Sequence, residues 1–241
     1  MLRFLVAAAV ALFPAAASAR CGADALGTAR TLHLKRGAAA YGAAQHAALP
    51  LRKGEVVLTF DDGPRPESTP LVLKALADQC VKAAFFMNGE PMERHPDLAR
   101  SVSAAGHSVG MHGFRHAHFQ QLPEAAQLAD LKAMQQAYKT TFGEAAPAYR
   151  FPFLEETPAL RGALKAGKVT TMSVDLAIDD WLPAQTPEAL TARMLERLRK
   201  SGGGIILMHD AQDQTALALP MLLKALKAEG YAVVHLTWSR R

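Results

Sequence analysis

From Glu55 onward, short apolar runs alternate with longer amphipathic stretches in a regular order. The apolar runs fall at 56–60, 83–87, 107–111, 148–151, 169–174, 204–208 and 231–236, and each reads as a strand. Several, including Gly204-Ile205-Ile206-Leu207-Met208, are almost wholly apolar, as in a parallel sheet covered by helices. The stretches between them carry helix punctuation. Thr69-Pro70, Thr157-Pro158 and Thr186-Pro187 each pair a capping hydroxyl with a proline at the first helical position. Pro96, Pro123 and Pro220 read as further first-turn prolines, and Gly106, Gly143, Gly167, Gly202 and Gly230 stand where C-terminal caps belong. The predicted helices are 70–80, 96–105, 123–142, 158–166, 187–200 and 220–229. Six or seven alternations without a linker predict one α/β domain, either an α/β barrel or a doubly wound sheet.

The N-terminal quarter breaks this rhythm. Residues 21–54 are rich in Ala and Gly without clear periodicity, and read as an arm of little regular structure lying over the domain that follows. Before it, Arg3 precedes the apolar run Phe4 to Phe13, then Pro14 and the small-x-small triplet Ala17-Ser18-Ala19. That run is too short to cross a bilayer and fits a signal peptide cleaved after Ala19. The expected organisation is therefore a signal peptide over 1–19, an arm over 20–54 and a catalytic domain over 55–241, with the mature chain periplasmic or secreted and without a membrane span. Export permits disulfides, so Cys21 and Cys80, the two cysteines, are expected to pair. Composition adds bounds: with half of 241 residues hydrophobic and 20% charged, the chain has material for a sizeable core. The net charge of +5 is scattered, with no aromatic interleaving of the kind a nucleic-acid groove needs. The mature protein is taken as a monomer.

The polar exceptions matter most. The run Val56-Val57-Leu58-Thr59-Phe60 stops in Asp61-Asp62-Gly63-Pro64, which alone is as consistent with a tight turn as with a site. Other strand ends repeat the pattern: His112 and His116, Arg150, Asp175 with Asp179-Asp180-Trp181, and His209-Asp210. In parallel α/β folds catalytic groups gather at the C-terminal ends of strands. His112 and His116, four apart, share one face if their segment is helical, and with a carboxylate from a neighbouring strand end they make a two-His, one-acid metal site with an open position. His107 and His118 are outside this spacing. Asp61 and Asp62, adjacent on the chain, point to opposite sides, so one can bind metal while the other stays free as a base.

With these residues in order, the chain resembles the polysaccharide deacetylases, carbohydrate esterase family four. The resemblance rests on Thr59-Phe60-Asp61-Asp62-Gly63-Pro64, His112-x-x-x-His116, Arg150-x-Pro152, Asp180-Trp181 and Leu207-x-His209, and covers 56–236. It implies a deformed (β/α) barrel and metal-dependent hydrolysis of N-acetyl groups on amino sugars of peptidoglycan, chitooligosaccharides or an exopolysaccharide. It also implies roles. Asp62, His112 and His116 would hold one divalent metal, zinc in most of the family, with Co2+, Ni2+ or Mn2+ as alternatives. Asp61 would be the general base and Arg150 its orienting partner. His209 would be the general acid, with Asp180 raising its pKa. Trp181 and Leu207 would wall the acetyl pocket, and Pro152 and Phe153 would shape the groove. Three departures stand out: Gly113 replaces the usual hydroxyl residue after the first histidine, Phe153-Leu154 replaces the usual aromatic-Gly ending, and three aspartates compete to support His209. Two other readings remain: a catalytically idle glycan-binding member, and an amidohydrolase acting on a small non-sugar amide.

Overall fold

A computed structural model describes residues 21–22 and 24–239, so the expected signal peptide lies outside the described residues. In chain order the elements are β1 (Thr28–Leu34), β2 (Ala40–Tyr41), β3 (Glu55–Asp61), α1 (Thr69–Asp78), β4 (Ala84–Met87), α2 (Gly89–Arg94), α3 (Pro96–Ala104), β5 (Ser108–Met111), α4 (Glu124–Phe142), β6 (Ala148–Tyr149), α5 (Pro158–Ala166), β7 (Thr170–Met172), β8 (Leu176–Ala177), α6 (Pro187–Ser201), β9 (Gly204–His209), α7 (Asp213–Ala228) and β10 (Ala232–Trp238). The barrel strands run β8-β9-β3-β4-β5-β6-β7-β2, every pairing parallel. Among the described residues the two ends of this order, β2 and β8, do not pair, so the ring stays open there: a deformed barrel, not a closed one. β10 branches from the start of β3 and carries β1 as its other neighbour.

The period-two geometry of β3 sorts its side chains. Val56, Leu58 and Phe60 pack with Val72 and Leu76 of α1 and with Leu219 and Leu222 of α7 in the outer core. Val57 joins a second, inner core with Ala84, Phe86, Ala148, Met172 and Ile205, into which Leu34 of β1 and Val234 and Leu236 of β10 also pack. The β1–β10 pair thus supplies apolar side chains to the barrel interior. The same alternation turns Thr59 and Asp61 inward, where the apolar filling gives way to polar groups.

Several expectations change. The arm is not irregular, because Thr28–Leu34 forms a strand paired along β10. As an edge strand it exposes every second residue, so polar and apolar positions mix and its apolar signal is weak. The last helix begins at Asp213, not Pro220, which sits in its interior. Its first turn is anchored from outside, where Gln214 and Thr215 side chains donate hydrogen bonds to Asp180. Thr69 opens α1 without capping it; its hydroxyl accepts from the Arg65 amide at 2.8 Å and donates to Asp210. Thr157 and Thr186 do cap, accepting from the amides of Leu160 and Ala189. Gly167 keeps a right-handed φ of −75°, and the left-handed residue after α5 is Lys168. Helix α2 was not foreseen. The structure joins Cys21 to Cys80 across a Cα separation of 5.9 Å, beside hydrogen bonds from the amides of Gly27 and Leu26 to Gln79.

Candidate active site

Asp62 is the first residue beyond β3 and takes a left-handed φ of +77°. Its Oδ1 lies 3.5 Å from Nε2 of His112 and 3.2 Å from Nε2 of His116. One ligand atom from each residue fits within 4.8 Å of the others. The His112 ring is fixed by its other nitrogen: Nδ1 lies 2.9 Å from the Arg150 carbonyl oxygen, an acceptor, so Nδ1 carries the proton and Nε2 offers a lone pair. Burial pushes the His112 pKa down to about 3, which keeps the ring neutral and ligand-competent. One carboxylate and two imidazole nitrogens are the donor set of a catalytic divalent site with an open position, and these residues fit such an ion. The four-residue spacing works without a helix. His112 directly follows β5, and the chain turns through left-handed residues at Gly113 and His116.

Asp61 stands at the interior end of β3, almost wholly buried. Its Oδ1 accepts from Arg150 Nη1 at 2.8 Å, while Oδ2 is 3.7 Å from His112 Nε2 and faces the cluster. Arg150 is itself fully buried, and all three of its guanidinium nitrogens are engaged. It donates to Thr59 Oγ1 at 2.8 Å, to the Ser173 carbonyl at 3.1 Å and to the Met172 carbonyl at 3.4 Å, and lies over the Phe86 ring. Burial raises the Asp61 pKa, and Arg150 pulls against that rise without cancelling it. A divalent cation held by Asp62, His112 and His116 would add to the pull of Arg150.

On the other side of Asp61, β9 runs parallel to β3 and sets His209 in register with Asp61. His209 Nδ1 is 2.8 Å from Asp180 Oδ1, and its backbone amide donates to Asp180 Oδ2 at 2.7 Å. Burial alone lowers the pKa of the His209 ring. The hydrogen bond to Asp180 and the charges of Asp180, Asp61 and Asp62 outweigh it and raise the value to about 9. The competing aspartates are used elsewhere. Asp179 is clasped by Arg197 at 2.6 and 2.7 Å, and Asp175 accepts from the backbone amides of Ala43 and Ile205.

The remaining expected residues frame this cluster. Trp181 is half exposed and meets the His209 ring edge-on at 5.6 Å. Leu207 is buried, two residues before His209 on the same strand. Pro152 is buried, whereas Phe153 is exposed, stacked on His118 at 3.8 Å with its edge to His116 at 4.4 Å. Sequence alone gives Asn88 no mark and places Asp210 at a strand end without a role. Asn88 Nδ2 donates to Asp62 Oδ1 at 3.2 Å. The buried Asp210 accepts from the Gly63 amide at 3.2 Å and from the Thr69 hydroxyl, sewing the turn after β3 to the end of β9. Burial pushes its pKa up to about 7. Neither residue lies in a motif spacing; the folded neighbourhood shows what each one holds. A hollow of about 580 Å3 between Lys53, Asp175 and Gly204 lies at the opposite end of β9 from His209, away from this cluster.

Comparison with known proteins places the chain among one family. A family model described as polysaccharide deacetylase matches residues 48–172. A peptidoglycan-N-acetylglucosamine deacetylase of Bacillus cereus is 30% identical over 184 residues, 72% of this chain and 66% of that protein. A chitooligosaccharide deacetylase of Bradyrhizobium is 30% identical over 74% of this chain and 87% of its own length. Among solved structures, a peptidoglycan deacetylase of Bdellovibrio bacteriovorus superposes with a TM-score of 0.78 at 31% identity, covering 88% of this chain and 59% of that one. This chain belongs to the polysaccharide deacetylase family.

Proposed function

We propose that the protein is an exported, zinc-dependent deacetylase that removes N-acetyl groups from amino sugars of an envelope glycan, releasing acetate. The observation that carries this reading is the division of labour across one strand pair. Asp61 and His209 are register neighbours, one a carboxylate with a free oxygen and the other a protonated imidazole, beside a three-ligand cluster. Asp62, His112 and His116 would hold the ion, which when bound polarises the acetamide carbonyl and acidifies the attacking water.

The chain's own residues do the rest. Arg150 occupies Asp61 Oδ1 and so aims Oδ2 at the cluster, where it takes a proton from water as that water attacks the acetamide carbon. Asp180 occupies His209 Nδ1, leaving Nε2–H to protonate the sugar nitrogen as the C–N bond breaks. The products are a free amine and acetate. Half-exposed Trp181 and exposed Phe153 flank the opening as apolar surfaces for the sugar and its methyl group. The relatives named for peptidoglycan and chitooligosaccharides make these polymers the first substrates to try. The disulfide between Cys21 and Cys80 supports export to an oxidising compartment. Among the described residues no helix is long and apolar enough to cross a membrane.

Against the idle-binder reading, degenerate members usually lose a metal ligand or the base, and this chain keeps Asp61, Asp62, His112 and His116. The test is acetate release from peptidoglycan, chitooligosaccharides and an N-acetylated exopolysaccharide, with and without a chelator. Chelator-sensitive release from one of them is expected. Acetate release indifferent to chelator, or none from any polymer by the zinc-loaded protein, would overturn the reading.

A further inference from the structure

The segment from Gly113 to His116 has to present two imidazoles to one point, yet nothing local dictates its shape. It lies between β5 and a single 3-10 turn at Phe119–Gln121, takes left-handed φ values of +79° at Gly113 and +51° at His116, and has at 113 a residue without a side chain to brace it. Its conformation must come from neighbours. Its backbone polar groups show which. The Gly113 and Phe114 carbonyls accept from the amides of Gly89 and Glu90, each at 3.0 Å, at the start of α2, where helical N–H groups lack intrahelical partners. The next two amides point the other way: Phe114 N donates to Asp130 Oδ1 at 2.7 Å and Arg115 N to Asp130 Oδ2 at 3.2 Å.

We infer that Asp130, on α4, is a positioning residue for metal binding: its two oxygens bracket the Phe114 and Arg115 amides and hold His116 at its ligand distance from Asp62. This rests on the metal reading above. Both Asp130 oxygens serve this one segment, a charged acceptor on consecutive amides, the stronger kind of hydrogen bond. The opposite anchor explains a second residue. A side chain at Gly89 would overlap the Phe114 ring, so glycine there lets the loop lie against α2. His112 needs no such help, since its amide bonds to the Met87 carbonyl at 2.8 Å and its ring to the Arg150 carbonyl. His116, unlike His112, is partly exposed and depends on the loop.

The experiment compares full-length wild type with Asp130→Asn, Asp130→Glu and, as a control on an exposed neighbouring position of the same helix, Lys132→Ala. Zinc affinity is read by competition with a chromophoric chelator, Co2+ coordination by its visible spectrum, and exchange protection of the Phe114 and Arg115 amides in metal-free protein. Outer partners of metal ligands are typically worth 10–100-fold in affinity, so Asp130→Asn should weaken zinc about 10–100-fold and alter the Co2+ spectrum. It should also release both amides to exchange. Asp130→Glu, which keeps two acceptors, should recover part of the affinity, and Lys132→Ala should match wild type. If Asp130→Asn fails to fold, Asp130→Glu carries the test, since a shifted carboxylate must change the Co2+ spectrum. A folded Asp130→Asn protein with wild-type zinc affinity and spectrum, or an Asp130→Glu spectrum identical to wild type where only that variant folds, overturns the bracket and leaves the metal reading standing. A wild type that binds no metal overturns the metal reading and the bracket's purpose with it.

Discussion

Replacing Asp180 by Asn tests the acid half of the mechanism at its cause. The substitution keeps shape and an acceptor for the His209 amide, but removes the charge that favours the imidazolium. The His209 pKa stands at about 9 against an ordinary 6.5, although burial pushes it down. That gap is worth about 3 kcal/mol at about 1.4 kcal/mol per tenfold. With the charge gone and burial unchanged, the value should fall to about 6.5 or below. At pH 8 the protonated fraction then drops from about nine-tenths to about 3%, a loss of about 30-fold in acetate release, while near pH 6 the two proteins stay within a few-fold. The assay is the pH dependence of kcat/KM for the zinc-loaded proteins on one N-acetylated oligosaccharide, with its alkaline limb moving down by about two pH units or more. Stability should follow with the same sign. Because the folded value lies above the ordinary one, the stabilisation is fully present below about pH 6.5 and lost as pH rises through about 9, so urea unfolding should separate the two proteins at pH 6 and bring them together above pH 9. An unchanged alkaline limb in Asp180→Asn would refute the assignment of His209 as the acid.

Three further outcomes follow from the same geometry. Asp61→Asn should retain zinc affinity within a few-fold while acetate release falls about 10²–10⁴-fold, whereas His112→Ala should lose both, as read by metal titration beside the acetate assay. Gly63→Ala should sharply reduce acetate release, because the added Cβ overlaps the Asp210 carboxylate that the Gly63 amide is bonded to; a crystal structure or amide exchange of the turn after β3 locates the displacement. Reducing the Cys21–Cys80 bond, which closes a sequence separation of 59 residues, should lower unfolding stability by about 4 kcal/mol on loop entropy, measured in urea with and without reductant.

The fold was legible where a single residue type solves a local problem. A buried parallel strand has to be apolar on both faces, and a helix start has unpaired amides that Thr157 and Thr186 satisfy, so those elements announced themselves. Pro220 misled because the same residue serves in a helix interior once the first turn is anchored elsewhere, here on Asp180. β1 hid because an edge strand buries only alternate residues, leaving Arg30 free to pair with Glu55 at 2.6 Å. At the site, sequence order supplied Asp61, Asp62, His112, His116, Arg150 and His209, since strand ends converge in any such barrel. It could not choose among Asp175, Asp179 and Asp180, because the choice depends on Arg197 claiming one and the Ala43 and Ile205 amides another. Nor could it find Asn88 or Asp130, or give Asp210 a role beyond its place at a strand end. Each is one polar residue whose partner is a ligand side chain or loop backbone brought near only by folding. What the motifs name are the groups that touch the chemistry. What holds those groups in place is written in backbone hydrogen bonds, and it becomes visible only when the accounting of amides and carbonyls around His116 and Gly63 is closed.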